Sequence, residues 1–144
     1  MMPSEAPQQG DKVAGGDMPP AALSWPALVI LTQRADFQRA TRSRSKATPG
    51  FILQMRKRAE GEYLLNPRAI RVGFTCSKKV GNAVARNRAK RRLREIARLT
   101  LPRLGLPGHD YVLVGRKTAT ASLPFSQLQD DLAHALMSLQ GRAQ

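Results

Sequence analysis

Alternating apolar and polar residues predict two strands in the first half of the chain. Over residues 51–58, apolar side chains alternate with polar or basic ones, which is the period of a strand with one buried face. Residues 69–77 alternate in the same way, and the turn region 59–67 between the two runs predicts an antiparallel hairpin. A third run, residues 111–117, begins with an almost continuous apolar stretch, so we expect a central strand covered on both faces.

Helical periodicity predicts three helices. The first begins near Thr32, a candidate cap, and is followed by a loop at residues 43–50. The second begins near Ala83, because the Asn82 side chain can accept a hydrogen bond from the first free amides of a helix. The third covers about residues 125–139, where apolar residues recur every three or four positions and form one helix face.

The order of these elements predicts an α+β fold. Helix, strand, strand, helix, strand and helix follow one another, which is typical of a two-layer sandwich with helices packed on a small sheet. Pro102 and the Gly-Pro segment 105–108 are expected to end the second helix. A chain of 144 residues is long enough for one core. We place that domain at residues 27–140, after a disordered extension at 1–26 and before a tail at 141–144.

Composition and motifs exclude several classes of protein. No apolar run approaches the roughly 18 residues that cross a bilayer, and the first 20 residues hold three acids and one Lys, unlike a secretory signal. We therefore expect a cytoplasmic protein with no membrane partner. Cys76 is the single cysteine and has no local His partner, as a catalytic thiol would need. The adjacent acids Asp130 and Asp131 lie on the polar side of a predicted helix, which is an ordinary position for them. The sequence also contains no phosphate-binding loop motif. We predict no catalytic residue, no metal site and no cofactor motif in the protein.

The charge of the chain is strongly unbalanced. Lys and Arg number 24 against 10 Asp and Glu, which gives a formal net charge of +14. Residues 78–98 hold nine Lys or Arg and a single acid, Glu95, so this stretch alone carries a net charge of +8. Charge of this density predicts a polyanionic partner such as nucleic acid.

Helical winding divides the second helix into a packing face and a basic face. At about 100° per residue, small and apolar residues fall on one side, and the other side carries Asn87, Arg88, Arg91, Arg94 and Arg98. Arg86 and Lys90 lie one turn apart at the border, where they could clamp a phosphate. An ordinary solvated face usually mixes both signs of charge, because like charges three or four residues apart repel. The pattern therefore favours a nucleic-acid interface over a merely solvated face.

The sequence of residues 71–95 resembles the signature of the protein subunit of bacterial ribonuclease P. The Ser-Lys-Lys-x-Gly-Asn-Ala-Val segment of that family stands here at residues 77–84, and its Arg-Asn-Arg core stands at residues 86–88. The similarity covers roughly residues 31–139. It implies one more short strand near the second strand, and therefore the order α-β-β-(β)-α-β-α. It also implies a small mixed sheet in which a left-handed βαβ crossover surrounds the basic helix. Such crossovers are usually right-handed.

In that family the RNA subunit carries the chemistry: metal-activated water attacks a phosphodiester of precursor tRNA and releases the 5′ leader. The resemblance therefore implies an endonuclease subunit whose catalytic groups and Mg²⁺ lie in the RNA, and which is monomeric within the holoenzyme. It implies contacts to the catalytic RNA from Lys78, Lys79, Asn82, Arg86, Asn87, Arg88, Lys90, Arg91 and Arg94. It also implies that the leader binds between the first helix and the sheet, where Phe37 matches the family's aromatic residue.

Two positions near this leader site depart from the family pattern. Thr41 stands where many members have a second Phe, and Gln54 stands where some have Tyr. We therefore expect leader binding to use hydrogen bonds from Gln54 and charge from Arg39, Arg56 and Arg58.

Three alternatives remain open. Phe37 lies on a short amphipathic helix and is also compatible with an ordinary core position. A ribosomal-type or RNA-chaperone protein would share the charge and the fold class without a nuclease role. A DNA-binding regulator would need a helix-turn-helix pair with a dimer interface, whereas the basic helix here is followed by Pro102 and a strand.

Overall fold

A five-stranded mixed sheet forms the centre of the fold. The computed structural model describes residues 28–63 and 66–142. Its strands are β1 (Leu28–Ile30), β2 (Arg44–Ala47), β3 (Phe51–Lys57), β4 (Ile70–Thr75) and β5 (His109–Gly115). They lie in the order β1-β4-β5-β3-β2. Strands β1 and β5 run parallel to β4, whereas β2 and β5 run antiparallel to β3. The last strand in chain order is therefore the middle strand of the sheet.

The helices flank this sheet on both sides. In the described part of the chain they are α1 (Arg34–Thr41), α2 (Ala83–Leu104), α3 (Ala119–Ser122) and α4 (Phe125–Arg142), and a 3-10 turn (Lys78–Val80) precedes α2. Helix α2 connects the parallel strands β4 and β5, so β4, α2 and β5 form the expected βαβ unit. The left hand of this crossover stays a prediction.

The main core lies between the sheet and the two long helices α2 and α4. Leu53 of β3 and Leu113 of β5 point to this side and meet Leu93 of α2 and Leu132 of α4, all of them buried. Burying one such side chain stabilises the fold by about 1.5–3 kcal/mol. The apolar side of α2 is thus fixed against the sheet, and its other side is left facing outward.

Helix α1 covers part of the opposite side of the sheet, which we call the α1 face. A small second cluster lies there and consists of Leu31, Ala40 and Val112, with Phe37 and Val114 partly buried beside it. Gln54 and Arg56 alternate along β3 with residues of the main core, so they lie on the α1 face as well.

The structure confirms the α+β class and the central position of β5, and it corrects the strand pairing. The predicted hairpin is wrong: β3 and β4 do not pair, because β5 lies between them. The predicted loop at residues 43–50 contains β2, an edge strand whose four residues are all exposed. Beside β4 lies β1, the additional strand that the resemblance implied, but β1 precedes α1 in the chain rather than following β4.

One predicted helix start differs from the structure, whereas the predicted end of the second helix at the Gly-Pro segment is confirmed. The N-cap position of α1 is Gln33, which makes no side-chain capping bond, so Thr32 is not the cap. Helix α2 continues through Pro102 to Leu104. A proline this close to the end of a helix removes only one hydrogen bond of the last turns, and the helix then ends where the Gly105 amide donates to the Leu101 carbonyl at 2.7 Å.

The ends of the chain lie mainly outside the described residues. The predicted extension at residues 1–26 is among those not described, and α4 continues through Arg142, two residues into the predicted tail. Within residues 28–63 and 66–142, no helix is long and apolar enough to cross a membrane.

Candidate RNA-binding surfaces

Two successive caps determine where α2 begins. The Ser77 side chain accepts from the Lys79 amide at 3.3 Å, and the Asn82 side chain accepts from the Ala85 amide at 2.9 Å. Between them Gly81 has a φ of 150°, and a Cβ at this glycine would lie 2.8 Å from the Ala85 Cβ. The predicted Asn82 cap is confirmed, and the caps hold the chain in a fixed path just before the helix.

The basic face of α2 follows the predicted helical phase. We use this name for the four exposed residues Asn87, Arg88, Arg91 and Arg94, bordered by the half-buried Arg86 and Lys90. On the opposite side, Ala89, Leu93 and Ile96 are fully buried in the main core. The helix therefore presents these side chains from a position that is anchored by packing.

Some arginines of α2 are held by neighbouring backbone carbonyls. The Arg88 Nε donates to the Ala121 carbonyl and the Arg92 Nη1 donates to the Thr120 carbonyl, each at 2.9 Å. Burial, and secondarily the nearby Arg88, lower the pKa of Arg92 from its ordinary value. Arg92 is partly buried, and its hydrogen bond to the Thr120 carbonyl links α2 to α3. Arg92 is therefore a structural residue. Arg91, in contrast, forms no hydrogen bond or ion pair with any described residue.

A second basic group extends this surface beyond the motif. The exposed Lys79 lies in a shallow groove that is also lined by Arg116 and Lys117, the residues directly after β5. The Arg116 Nη1 donates to the Thr48 carbonyl at 2.7 Å, which fixes its side chain across the sheet. Sequence reasoning placed Lys78 and Lys79 in the RNA contact but missed Arg116 and Lys117. Their proximity arises because β4 and β5 are parallel neighbours, so that the segments that follow the two strands lie at the same edge of the sheet.

On the α1 face, Phe37 packs against Gly73. A Cβ built on Gly73 would lie 2.4 Å from Phe37 Cε1 and 2.6 Å from Phe37 Cζ, so only glycine allows the ring to approach the backbone of β4 this closely. Phe37 is half-buried, which means that the ring both contributes to the second cluster and keeps part of its surface accessible. Gln54, the other predicted leader residue on this side, is half-buried on β3.

The predicted leader-binding arginines are engaged with acids of the protein itself. The Arg39 Nη1 lies 3.0 Å from Asp36 Oδ1 and 3.6 Å from Glu62 Oε2. Arg56 also donates to Glu62, and its side chain is only 16% exposed. Burial opposes the ionisation of Glu62, but the hydrogen bonds from Arg56 and from the Ala59 amide outweigh it and hold the pKa of Glu62 below its usual value. The α1 face is therefore less positive than its arginines alone suggest.

Arg58 requires a correction. The sequence pattern places it on the solvent-facing side of the first strand, whereas the structure buries it past the end of β3, at 7% exposure. Its Nη1 donates to Asp110 Oδ1 at 2.7 Å and to the His109 carbonyl, and its Nη2 donates to the Pro67 and Ala69 carbonyls. With its guanidinium satisfied inside the protein, Arg58 is a structural residue in this conformation and is not available to a leader.

Asp110 is the centre of this buried charge network. Its carboxylate is fully buried and also accepts two hydrogen bonds from Arg71, each at 2.8 Å. Arg71 reaches Asp36 of α1 at 3.3 Å. The hydrogen bond to Asp110 raises the pKa of the Arg71 guanidinium above its ordinary value. The network thus ties α1 to β4 and β5, and sequence reasoning did not assign this role to Asp36, Arg71 or Asp110.

The described residues contain no group of three or more His, Cys, Asp or Glu that could hold a metal ion. Cys76 is half-buried, and burial raises the pKa of its thiol, which disfavours the reactive thiolate. Asp130 and Asp131 both lie on α4. The exposed cations of the basic face and of the groove at Lys79 suit the binding of an anionic partner.

Comparison with known proteins identifies the family. The profile of the family described as Ribonuclease P matches residues 26–140. The ribonuclease P protein component of Ruegeria pomeroyi is 56% identical over 124 residues, which span 85% of this chain and 96% of that protein. The solved RNase P protein of Staphylococcus aureus superposes with a TM-score of 0.61 and 29% identity, covering 76% of this chain and 94% of that chain. The RNase P protein of Thermotoga maritima gives a TM-score of 0.60 and 26% identity, over 74% and 93% of the two chains. The chain therefore belongs to the ribonuclease P protein family.

Proposed function

We propose that the chain, a protein component of ribonuclease P that acts in tRNA processing together with the RNA subunit, binds that RNA through the basic face of α2. The observation that carries this proposal is the set of exposed cations on a helix whose other side is buried in the main core. Because α2 cannot shift without unpacking that core, the backbone positions from which the guanidinium groups extend keep a fixed spacing. Arginine at fixed spacing suits phosphate oxygens, which it binds through two parallel hydrogen bonds.

The 5′ leader of precursor tRNA is proposed to bind on the α1 face. The half-buried ring of Phe37 offers a surface for a base, and stacking on an aromatic ring contributes about 1–3 kcal/mol per base. Gln54 supplies an amide on the same side of the sheet. Since Arg39 and Arg56 share the Glu62 carboxylate, a leader phosphate has to compete with Glu62 for them. This competition supports a leader contact of modest strength that tolerates many sequences.

We assign the cleavage chemistry and the Mg²⁺ ions to the RNA subunit. Three acids that lie near the proposed leader site, Asp36, Glu62 and Asp110, are each paired with at least one arginine. A metal ion at any of them would have to displace a guanidinium group. The protein then contributes position and positive charge, as one copy per holoenzyme.

The function is tested by mixing the protein with a bacterial ribonuclease P RNA and a precursor tRNA at low Mg²⁺, where the RNA alone is slow. We expect the protein to restore cleavage at the mature 5′ end. A ribosomal-type or RNA-chaperone protein would bind the RNA without restoring cleavage at that position, and this result would overturn the proposal.

The RNA contact is tested within one helix by comparing Arg91→Ala with Arg98→Ala. Arg91 is exposed and unpaired among the described residues, whereas Arg98 is engaged by Glu95 one turn away. We expect Arg91→Ala to weaken binding of the RNA subunit and to reduce the slope of log affinity against log salt by about 0.7–0.9, the value of one phosphate contact. In a filter-binding titration, Arg98→Ala should have a smaller effect; equal losses would contradict the assignment of the basic face.

A further inference from the structure

A groove lies between the basic face of α2 and the start of α4, on the side of the sheet away from the α1 face. We call it the Phe125 groove. Its lining combines five charged residues of α2 with one aromatic residue of α4: Arg88, Arg91, Arg92, Arg94, Glu95 and Phe125. Phe125 is the single apolar residue of this lining. The sequence pattern assigned it to the apolar face of a helix, whereas the structure also places it beside the arginines.

Phe125 is held at the edge of the main core. It is the first residue of α4, it is half-buried, and it packs against that core, so part of its ring stays at the surface of the groove. Arg92 fixes the chain just before this position. Its Nη1 donates to the Thr120 carbonyl at 2.9 Å, and its Nη2 donates to the Leu123 carbonyl, two residues before Phe125. The ring is thereby fixed next to α2.

The arginines beside the ring keep donors for a ligand. Arg88 donates through Nε to the Ala121 carbonyl and makes no other hydrogen bond in the described part of the chain, so both of its Nη groups are left. Arg91 has no partner among the same residues, as noted above. The Arg94 guanidinium lies 5.8 Å from the centroid of the Phe74 ring and has no ion pair within the described ranges. Three guanidinium groups at the groove are thus able to bind phosphate oxygens.

Glu95, the one acid of the lining, does not balance these charges. The Arg98 Nε donates to Glu95 Oε1 at 3.1 Å, and this pairing lowers the pKa of the Glu95 carboxyl. Arg98 does not line the groove, so the charge of Glu95 is offset from outside it. Phe125 also marks the N-terminus of α4, where the helix dipole has its positive pole. The potential at the groove is therefore positive.

An aromatic ring next to guanidinium groups suits an unpaired nucleotide. The ring offers a surface on which a base can stack, and the arginines offer donors to its phosphate. Paired RNA keeps its bases inside the double helix and would use the arginines without the ring. An apolar protein segment would use the ring but would remove the arginines from water without a partner, which is costly.

We propose that the Phe125 groove binds an unpaired nucleotide of the RNA subunit, with its base stacked on the Phe125 ring and its phosphate held by Arg88 and Arg91. The inference rests on the proposed binding of the RNA subunit to the basic face of α2. It adds to that interface a contact that salt does not screen. The affinity that remains at high salt then depends on Phe125.

The experiment titrates a bacterial ribonuclease P RNA with the full chain over a range of salt concentrations. Phe125→Leu keeps an apolar side chain against the core but removes the aromatic surface. Because stacking releases no counterions, we expect this variant to bind about tenfold more weakly at every salt concentration, with an unchanged log–log slope. Phe125→Tyr keeps the ring and should bind like the wild type. The matched control is Met137→Leu, also on α4, which is 64% exposed outside the groove and should have no effect.

Fluorescence gives a second measurement that a purely structural role of Phe125 would not affect. Trp25 is the single tryptophan of the chain, so Phe125→Trp in a Trp25→Phe background places one indole in the groove. A base stacked on that indole quenches its emission, and we expect quenching when the RNA subunit is added. Met137→Trp in the same background is the control and should keep its emission.

The outcomes separate this inference from the proposed function. If Phe125→Leu binds like the wild type while Arg91→Ala binds more weakly, the groove proposal is wrong and the basic face stands. If neither variant loses affinity, both proposals are wrong. A loss in Phe125→Leu that disappears at high salt would also overturn stacking. Should denaturant unfolding show that Phe125→Leu does not fold, the two tryptophan variants decide, because equal changes in their emission would contradict a base in the groove.

Discussion

At the level of single residues, most charge on the α1 face is paired within the protein. Asp110 is fully buried and receives hydrogen bonds from both Arg58 and Arg71. Removing its carboxylate would leave two buried guanidinium groups without their main partner, a change that costs about 3–5 kcal/mol in comparable buried pairs. These arginines therefore stabilise the fold, and under the proposed function recognition of a leader falls to Phe37, Gln54 and the cations at the margin of the face.

Gly73→Ala tests how closely Phe37 is fitted to the sheet. The new Cβ would overlap the Phe37 ring and would also lie 3.2 Å from the Leu31 Cβ. We expect a loss of about 1–3 kcal/mol in the free energy of unfolding, as for other overpacked sites, and weaker binding of the leader as the ring moves. Denaturant unfolding and a leader-binding titration measure the two effects.

Gly141→Ala is the matched control for this change. Nothing lies within 4 Å of a Cβ at Gly141, near the end of α4, and alanine is the better helix former. This variant should be at least as stable as the wild type. Equal destabilisation by both substitutions would show that the Phe37 contact is not the cause.

Tyr111 makes stability depend on pH in the alkaline range. Burial raises the pKa of its hydroxyl to about 12, although the hydrogen bond from the Leu106 amide opposes this shift. The folded state therefore favours the neutral phenol, and the stability present below pH 10 is lost as pH rises from about 10 to about 12. A shift of this size corresponds to about 2–3 kcal/mol.

Comparison with Tyr111→Phe isolates this effect from the titration of lysines. The variant should be less stable at neutral pH, because the Tyr111 hydroxyl also donates to Gln140 Oε1 at 2.7 Å. It should lack the additional loss of stability between about pH 10 and pH 12. If urea unfolding shows the same alkaline loss in both proteins, the assignment to Tyr111 is wrong.

At the level of elements, α2 combines two roles that its sequence keeps on separate sides. Its buried side completes the main core, and its basic face is proposed to meet the RNA subunit. The cap residue Asn82 starts the helix and lies beside the basic residues of the motif, where the contact with the RNA subunit is proposed. Substitutions at this position can therefore separate folding from binding.

Asn82→Asp and Asn82→Ser make that separation. Aspartate and serine can both cap a helix, so we expect both variants to unfold with the free energy of the wild type. Asn82→Ala removes the cap and should lower that free energy by about 0.5–2 kcal/mol. The aspartate adds negative charge where phosphate is proposed to bind, and it should weaken binding of the RNA subunit, whereas the serine should not. Denaturant unfolding measures the stability of each variant, and a titration with the RNA subunit measures its affinity. Similar RNA affinities for the Asp and Ser variants would place Asn82 outside the interface.

The same comparison of elements explains what the sequence could and could not predict. The two faces of α2 were predictable because their chemistry differs at a regular period. Strand β2 was missed because all four of its residues are exposed and it pairs only through its backbone. Arg58 was misplaced because its partner Asp110 is 52 residues away, and local alternation contains no information about such pairs.

At the scale of the whole molecule, positive charge is concentrated outside the balanced network of the α1 face. The basic face of α2 and the groove at Lys79 lack acidic lining except for Glu95, one turn from Arg91. An RNA partner that contacts both of these surfaces would wrap around the protein. Binding should then depend strongly on salt.

That dependence provides a test of the interface as a whole. If about six phosphates are neutralised, the log–log plot of affinity for the RNA subunit against salt should have a slope steeper than about −4, with the coefficient for single strands. A slope near −1 would mean that the charge is solvated and not used in binding. The titration is made with the full chain at constant Mg²⁺.

The central position of β5 also has a consequence for synthesis of the protein on the ribosome. Until residues His109–Gly115 emerge, the nascent chain has two separate pairs of strands, β1 with β4 and β2 with β3, and each pair has an unpaired inner edge. Such edges invite pairing with other chains. The cooperative fold therefore forms late in translation, after α2 has already been made.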